Sequence, residues 1–131
     1  MSGTRAVVAA LTLPGTERSA VRVRAFVRDV LGAGHPALDD VRACVNEAFT
    51  NGVEHTSSER ISVVFVEVGD ETLVEVADDG AAGSRPRLCE ESLGEGGRGM
   101  RIIDALAREW GVRSEEGRAI VWMRFDRRSG K

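Results

Sequence analysis

The sequence predicts an α/β two-layer sandwich, with a mixed, mostly antiparallel sheet of about five strands and three helices on one face. Two observations carry that expectation. Short runs rich in β-branched residues end at turns bearing glycine or proline, and between them lie segments whose apolar residues recur at helical spacing. The order is strand, helix, helix, two strands, a long polar segment, helix, two strands, which gathers the helices over one face of one sheet.

Residues 5–13 are short and apolar and stop at Pro14-Gly15, as a first strand ending in a turn does. Thr16 or Ser19 then supplies a helix cap. Val23, Phe26, Val27, Val30 and Leu31 recur at helical spacing with arginines between them, and the helix ends near Gly32-Ala33-Gly34. A second helix begins after Pro36, with Leu38, Val41, Cys44, Val45, Ala48 and Phe49 as its buried stripe. Asp39 and Asp40 suit the positive end of its dipole. Residues 61–68 and 72–77 form a hairpin across Gly69-Asp70. Alternation places Val74, Val76 and Asp78 on one inward row, where a lone carboxylate requires a specific partner. Gly80 to Gly97 is rich in glycine, serine, proline and charge without periodicity, as functional lids or disordered segments are. Met100, Ile103, Leu106, Ala107 and Trp110 mark a third helix. A closing hairpin follows, from residues 112–114 and 118–125 around Glu115-Glu116-Gly117.

At 131 residues the chain fits one domain, with the polar segment at about 80–97 as a flexible lid. Apolar residues make up 42% and charged residues 30%, an ordinary globular balance, and no apolar run approaches the length of a membrane span. Residues 1–10 hold no apolar block with a cleavage-like end, so a cytoplasmic location is expected. The net charge of −3 speaks against a nucleic-acid binder. Cys44, Cys89, His35 and His55 show no metal-ligand spacing, so neither zinc nor a disulfide framework is expected.

Function is signalled by polar residues in apolar settings. Glu47, Asn51 and His55 stand four apart, one above another on the second helix, and such a stripe is costly to bury unless it borders a cleft. Asp78-Asp79-Gly80 closes a strand with an inward carboxylate. The run Gly94-Glu95-Gly96-Gly97-Arg98-Gly99 opens a helix, where free backbone N–H groups meet anions. Each signal alone is weak; their order and separation are what a nucleotide site needs.

In that order the motifs resemble the histidine-kinase-like ATPase superfamily (GHKL, Bergerat ATP-binding fold), and within it the small anti-sigma-factor serine/threonine kinases of bacterial partner switching. Residues 46–56 look like that family's N box, with Glu47, Asn51 and His55 matching and Ala48 and Gly52 varying. Asp78-Asp79-Gly80 is similar to its first glycine box, and Gly97-Arg98-Gly99-Met100 to its second. Val121-Trp122 resembles the last-strand signature. Ala82 stands where the first box normally has its second glycine.

The resemblance implies ATP and Mg²⁺ as ligands. Asn51 would offer its side-chain oxygen to Mg²⁺, Glu47 would act as the catalytic base, and Asp78 would accept the adenine amino proton. Gly80, Gly97, Arg98, Gly99 and Met100 would complete the nucleotide site. His55 would brace its helix, and Asp79 is expected as a turn residue. The implied activity is transfer of the γ-phosphate to a STAS-type anti-anti-sigma factor, with a sigma factor as a second partner and homodimerisation by analogy. The alternative is a non-catalytic ATP-gated protein-binding module of the same fold. A sensor-kinase fragment is disfavoured, because no dimerisation helix pair with a phosphoacceptor histidine is visible.

Overall fold

Alternation along Ile61, Val63 and Phe65 and along Val74 and Val76 gives two neighbouring strands one shared buried face, each of these side chains at most 1% exposed. The sheet grows outward from that pair. The computed structural model describes residues 5–80 and 100–126. In chain order these form β1 (Arg5–Pro14), a 3₁₀ turn (Glu17–Ser19), α1 (Ala20–Leu31), α2 (Leu38–His55), β2 (Arg60–Val68) and β3 (Glu71–Asp78). The lid expected at about 80–97 lies outside the described residues but for Gly80, and then come α3 (Met100–Leu106), β4 (Glu109–Glu115) and β5 (Arg118–Asp126).

The sheet order is β1-β2-β3-β5-β4, and every described pairing is antiparallel. Where a mixed, mostly antiparallel sheet is expected, the described residues pair only antiparallel, and the connections explain why. Two helices between β1 and β2 return the chain to the end it left, so Pro14 pairs with Arg60. Among the described residues α3 lies between β3 and β4, which run in the same direction but are held apart by β5.

Helix α2 is central, packing against α1 on one side and α3 on the other, and against β2 and β3 beneath. Its stripe of Leu38, Val41, Cys44, Val45, Ala48 and Phe49 is buried as expected. Phe26 of α1 meets Phe65 of β2 edge to face, with ring centroids 5.7 Å apart. Burial of each such large side chain contributes about 1.5–3 kcal/mol. Gly32 ends α1 with a positive φ of 99° and donates its N–H to the Arg28 carbonyl.

Two local expectations are corrected. Neither Thr16 nor Ser19 caps α1 by its side chain, because Ser19 already has helical backbone angles and its hydroxyl lies 3.3 Å from that of Thr16. Trp110 belongs to β4 rather than to the third helix, which ends at Leu106. Its indole N–H reaches back 2.9 Å to Asp104 on α3, and its backbone pairs with Met123. An inward strand residue therefore falls in step with the preceding helical period.

On the outer face of the sheet, the Trp122 ring covers Gly111 so closely that a Cβ there would lie 2.6 Å from the ring. Gly111→Ala should lower stability by about 1–3 kcal/mol through forced displacement of that ring, as measured by urea unfolding; an unchanged midpoint would contradict the packing.

Candidate functional site

Glu47 and Asn51 are half-buried on successive turns of α2. His55 is exposed, its Nε2 3.8 Å from Glu54, so it does not continue the stripe into the cleft. Thr56 closes the helix instead, its hydroxyl donating to the Gly52 carbonyl at 2.5 Å. The Asn51 Nδ2 is buried and has no hydrogen-bond partner among the described residues. Leaving such a donor unpaired costs about 1–3 kcal/mol, so it calls for a partner beyond the described residues.

Asp78, the last residue of β3, is 8% exposed on the inward row that Val74 and Val76 begin. Its Oδ1 accepts the Gly80 N–H at 2.7 Å, a bond that Gly80 makes from a φ of +75°. Burial pushes the carboxyl pKa above its ordinary 3.8; the Gly80 N–H opposes that, Asp79 adds to it, and Arg118 opposes it. The residue after Asn51 explains how helix and carboxylate meet. A Cβ on Gly52 would lie 3.1 Å from Asp78 Oδ2 and 3.0 Å from Ile61 Cδ1, so a bare helix backbone sits against the carboxylate. The Gly52 backbone thereby brings the turn of α2 that carries Asn51 against Asp78, 27 positions further along the sequence than Asn51.

Glu47 lies one turn toward the start of α2, close enough to Cys44 to help raise its thiol. The Cys44 pKa is pushed up to about 12, by burial first and then by the Asp40 and Glu47 carboxylates. Cys44 is accordingly an inert core thiol, directed at the Ile102 carbonyl of α3. Met100 opens α3 and is buried in the core cluster. Gly97, Arg98 and Gly99 lie outside the described residues, as does Ala82.

Sequence reasoning missed the support behind Asp78. Asp79 does more than make a turn: its Oδ2 accepts the Glu59 N–H at 3.1 Å, and its own N–H donates to Ser58 Oγ at 2.8 Å. Arg118 donates to the Ala77 carbonyl at 3.2 Å and lies 4.0 Å from Asp79. The only signal in the sequence is the hydroxyl pair Thr56 and Ser58 just past a helix end, where such residues commonly bond to backbone.

A magnesium ion would be held here through the Asn51 side-chain oxygen, since the unpartnered Nδ2 can only donate. Mg²⁺ keeps several waters, takes most other ligands from phosphate and needs few protein oxygens; one carboxamide at a cleft wall answers that requirement. Among the described residues no group of three or more His, Cys, Asp or Glu gathers around a point. A cavity of about 470 Å³ on the outer sheet face is lined by Leu73, Trp122 and the Glu75–Arg113 and Glu71–Arg124 pairs. Neither Asn51 nor Asp78 lines it. No helix among the described residues is long and apolar enough to cross a membrane.

The model of the histidine kinase-like ATPase domain matches residues 13–125. Among solved structures, the RsbU and RsbW domains of Rv1364c from Mycobacterium tuberculosis are similar at 21% identity, with a TM-score of 0.65. That match covers 88% of this chain but 32% of the other, so the likeness is one of fold over a third of a longer protein. No curated protein matches the chain.

Proposed function

Given that the chain belongs to the histidine kinase-like ATPase family, we propose that it binds ATP with Mg²⁺ between α2 and the end of β3 and phosphorylates a STAS-type anti-anti-sigma partner. One observation carries the reading: the buried Asp78 carboxylate lies against the bare backbone of Gly52, the residue that follows Asn51, whose buried Nδ2 has no partner among the described residues. A carboxylate at that depth is matched by a base that offers an amino group, and adenine does so. Asn51 would hold Mg²⁺, which when bound neutralises phosphate charge. Gly80 holds Asp78 in place from the opposite side of the turn. The backbone N–H groups of Gly97, Gly99 and Met100 would receive phosphate oxygens, with Arg98 adding charge.

Transfer needs a proton acceptor for the incoming hydroxyl, and Glu47 is the carboxylate one turn from Asn51. The hydroxyl oxygen of a partner serine or threonine forms the new O–P bond as its proton passes to Glu47. The bond between the γ-phosphorus and the bridging oxygen breaks, and ADP leaves. The phosphorylated partner would then release its hold on the kinase, leaving a sigma factor bound. We take the whole chain as one cytoplasmic domain that acts as a homodimer.

Titration of the purified protein with ATP and ADP in the presence of Mg²⁺ tests binding, and saturable affinity is expected. Absence of saturation would end the nucleotide reading. Incubation with γ-labelled ATP and a candidate STAS protein tests transfer. Saturable binding with no labelled partner would leave the ATP-gated protein-binding module as the function.

A further inference from the structure

The hydroxyls behind Asp78 form a chain whose direction is fixed by counting protons. Thr56 Oγ1 lies 2.5 Å from the Gly52 carbonyl oxygen, which only accepts, so the one hydroxyl proton of Thr56 is committed there. Ser58 Oγ lies 2.6 Å from Thr56 Oγ1 and must therefore be the donor in that pair. With its proton so placed, Ser58 Oγ presents lone pairs to the Asp79 N–H at 2.8 Å. The relay runs from the Asp79 N–H through Ser58 and Thr56 to the Gly52 carbonyl. Its two ends meet again, because the Gly52 backbone lies against the Asp78 carboxylate.

The relay sits on firm ground. Ser58 is 9% exposed. The Ser58 backbone N–H also donates to Thr56 Oγ1, and the Glu59 N–H donates to Asp79 Oδ2, so residues 58 and 59 grip Asp79 from two sides. From β1, Gly15 donates to the Glu59 carbonyl at 3.0 Å and approaches the Ser58 carbonyl so closely that a Cβ would lie 2.3 Å away. The corner is therefore held from β1 as well, and the hydroxyl relay ties it and the end of α2 to the peptide that follows Asp78.

We infer that Ser58 and Thr56 are positioning residues, which fix the Asp78 carboxylate relative to α2 and so set how strictly the site requires the 6-amino group of adenine. Neither touches the nucleotide. They act through the Asp79 backbone, one peptide unit from the carboxylate. The inference rests on the nucleotide site proposed above and adds a determinant of its selectivity.

The test compares ATP with purine riboside triphosphate, which keeps the ring and the triphosphate but lacks the 6-amino group. Wild type should prefer ATP. Ser58→Ala and Thr56→Val, the latter isosteric, should each reduce ATP affinity about tenfold while leaving affinity for the purine analogue unchanged. Thr56→Ser keeps the hydroxyl and should keep the preference. A merely structural role would weaken both nucleotides together. If Ser58→Ala does not fold, Thr56→Val and Thr56→Ser carry the comparison. An undiminished preference for ATP in a folded Thr56→Val protein would overturn the relay while leaving the nucleotide site intact. Failure of wild type to bind ATP would overturn the site and the relay with it.

Discussion

Glu47→Gln should slow phosphate transfer to the partner hydroxyl by about 10²- to 10⁴-fold while changing ATP affinity by less than about twofold. The substitution preserves volume, so the packing of α2 against α3 is undisturbed and the change is confined to proton affinity. Glu47 is half-buried one turn before Asn51, and its charge is felt by the neighbouring Cys44 thiol. Glutamine keeps the size and a hydrogen-bond acceptor of the side chain but cannot take up the proton of a hydroxyl substrate. Single-turnover transfer from γ-labelled ATP measures the rate, and calorimetric titration measures the affinity. A rate reduced with affinity retained identifies an interaction made in the transition state. A rate that does not fall removes Glu47 as the base, and affinity falling in parallel assigns it to ground-state binding.

Much of this arrangement was legible because periodicity reports burial directly. Val23 and Val27 on α1, the stripe from Leu38 to Phe49 on α2, and the row from Val74 to Asp78 on β3 all lie inward as their spacing requires. Asp78 is the instructive member, since alternation alone places a carboxylate in the core row and so announces a ligand. Two kinds of feature were hidden. Trp110 satisfies both a helical period counted from Met100 and a strand alternation with Val112, and only pairing with Met123 decides between them. Glu47, Asn51 and His55 share a spacing but not an environment, because α2 emerges from the core at its end and leaves His55 exposed.

The support for Asp78 was hidden for a different reason. In the sequence Gly52 is only a varying position of the N box, yet its missing Cβ is what admits the Asp78 carboxylate beside the backbone. Ser58 belongs to no motif in the sequence, and its bond to Asp79 spans 21 positions. Contacts between elements have no local period, so a residue whose role is to join two elements carries no pattern of its own. The resemblance to known ATPases named the boxes; it did not reveal what holds them together.

Asp78→Asn should weaken ATP binding about 100-fold and at the same time make the nucleotide-free protein less sensitive to rising pH. The loss follows from replacing an ionic acceptor by an amide that can turn its own donors toward the adenine amino group, leaving both unpaired. The second effect follows from burial. Because burial raises the Asp78 pKa above 3.8, the folded protein holds this proton more tightly than the unfolded chain does. Between the unfolded and folded pKa values the folded state binds more protons, so stability falls as pH rises through that window and stays lower above it. Asparagine has no proton to lose. The stability of the variant relative to wild type should therefore increase from about pH 4 toward neutrality, as measured by thermal unfolding of both proteins across that range. ATP affinity of wild type should move oppositely, strengthening as Asp78 ionises. A relative stability that is flat with pH would show that Asp78 is not desolvated, and undiminished ATP binding by the variant would show that it does not read the base. The same buried charge that destabilises the empty fold is the one that nucleotide binding would put to use.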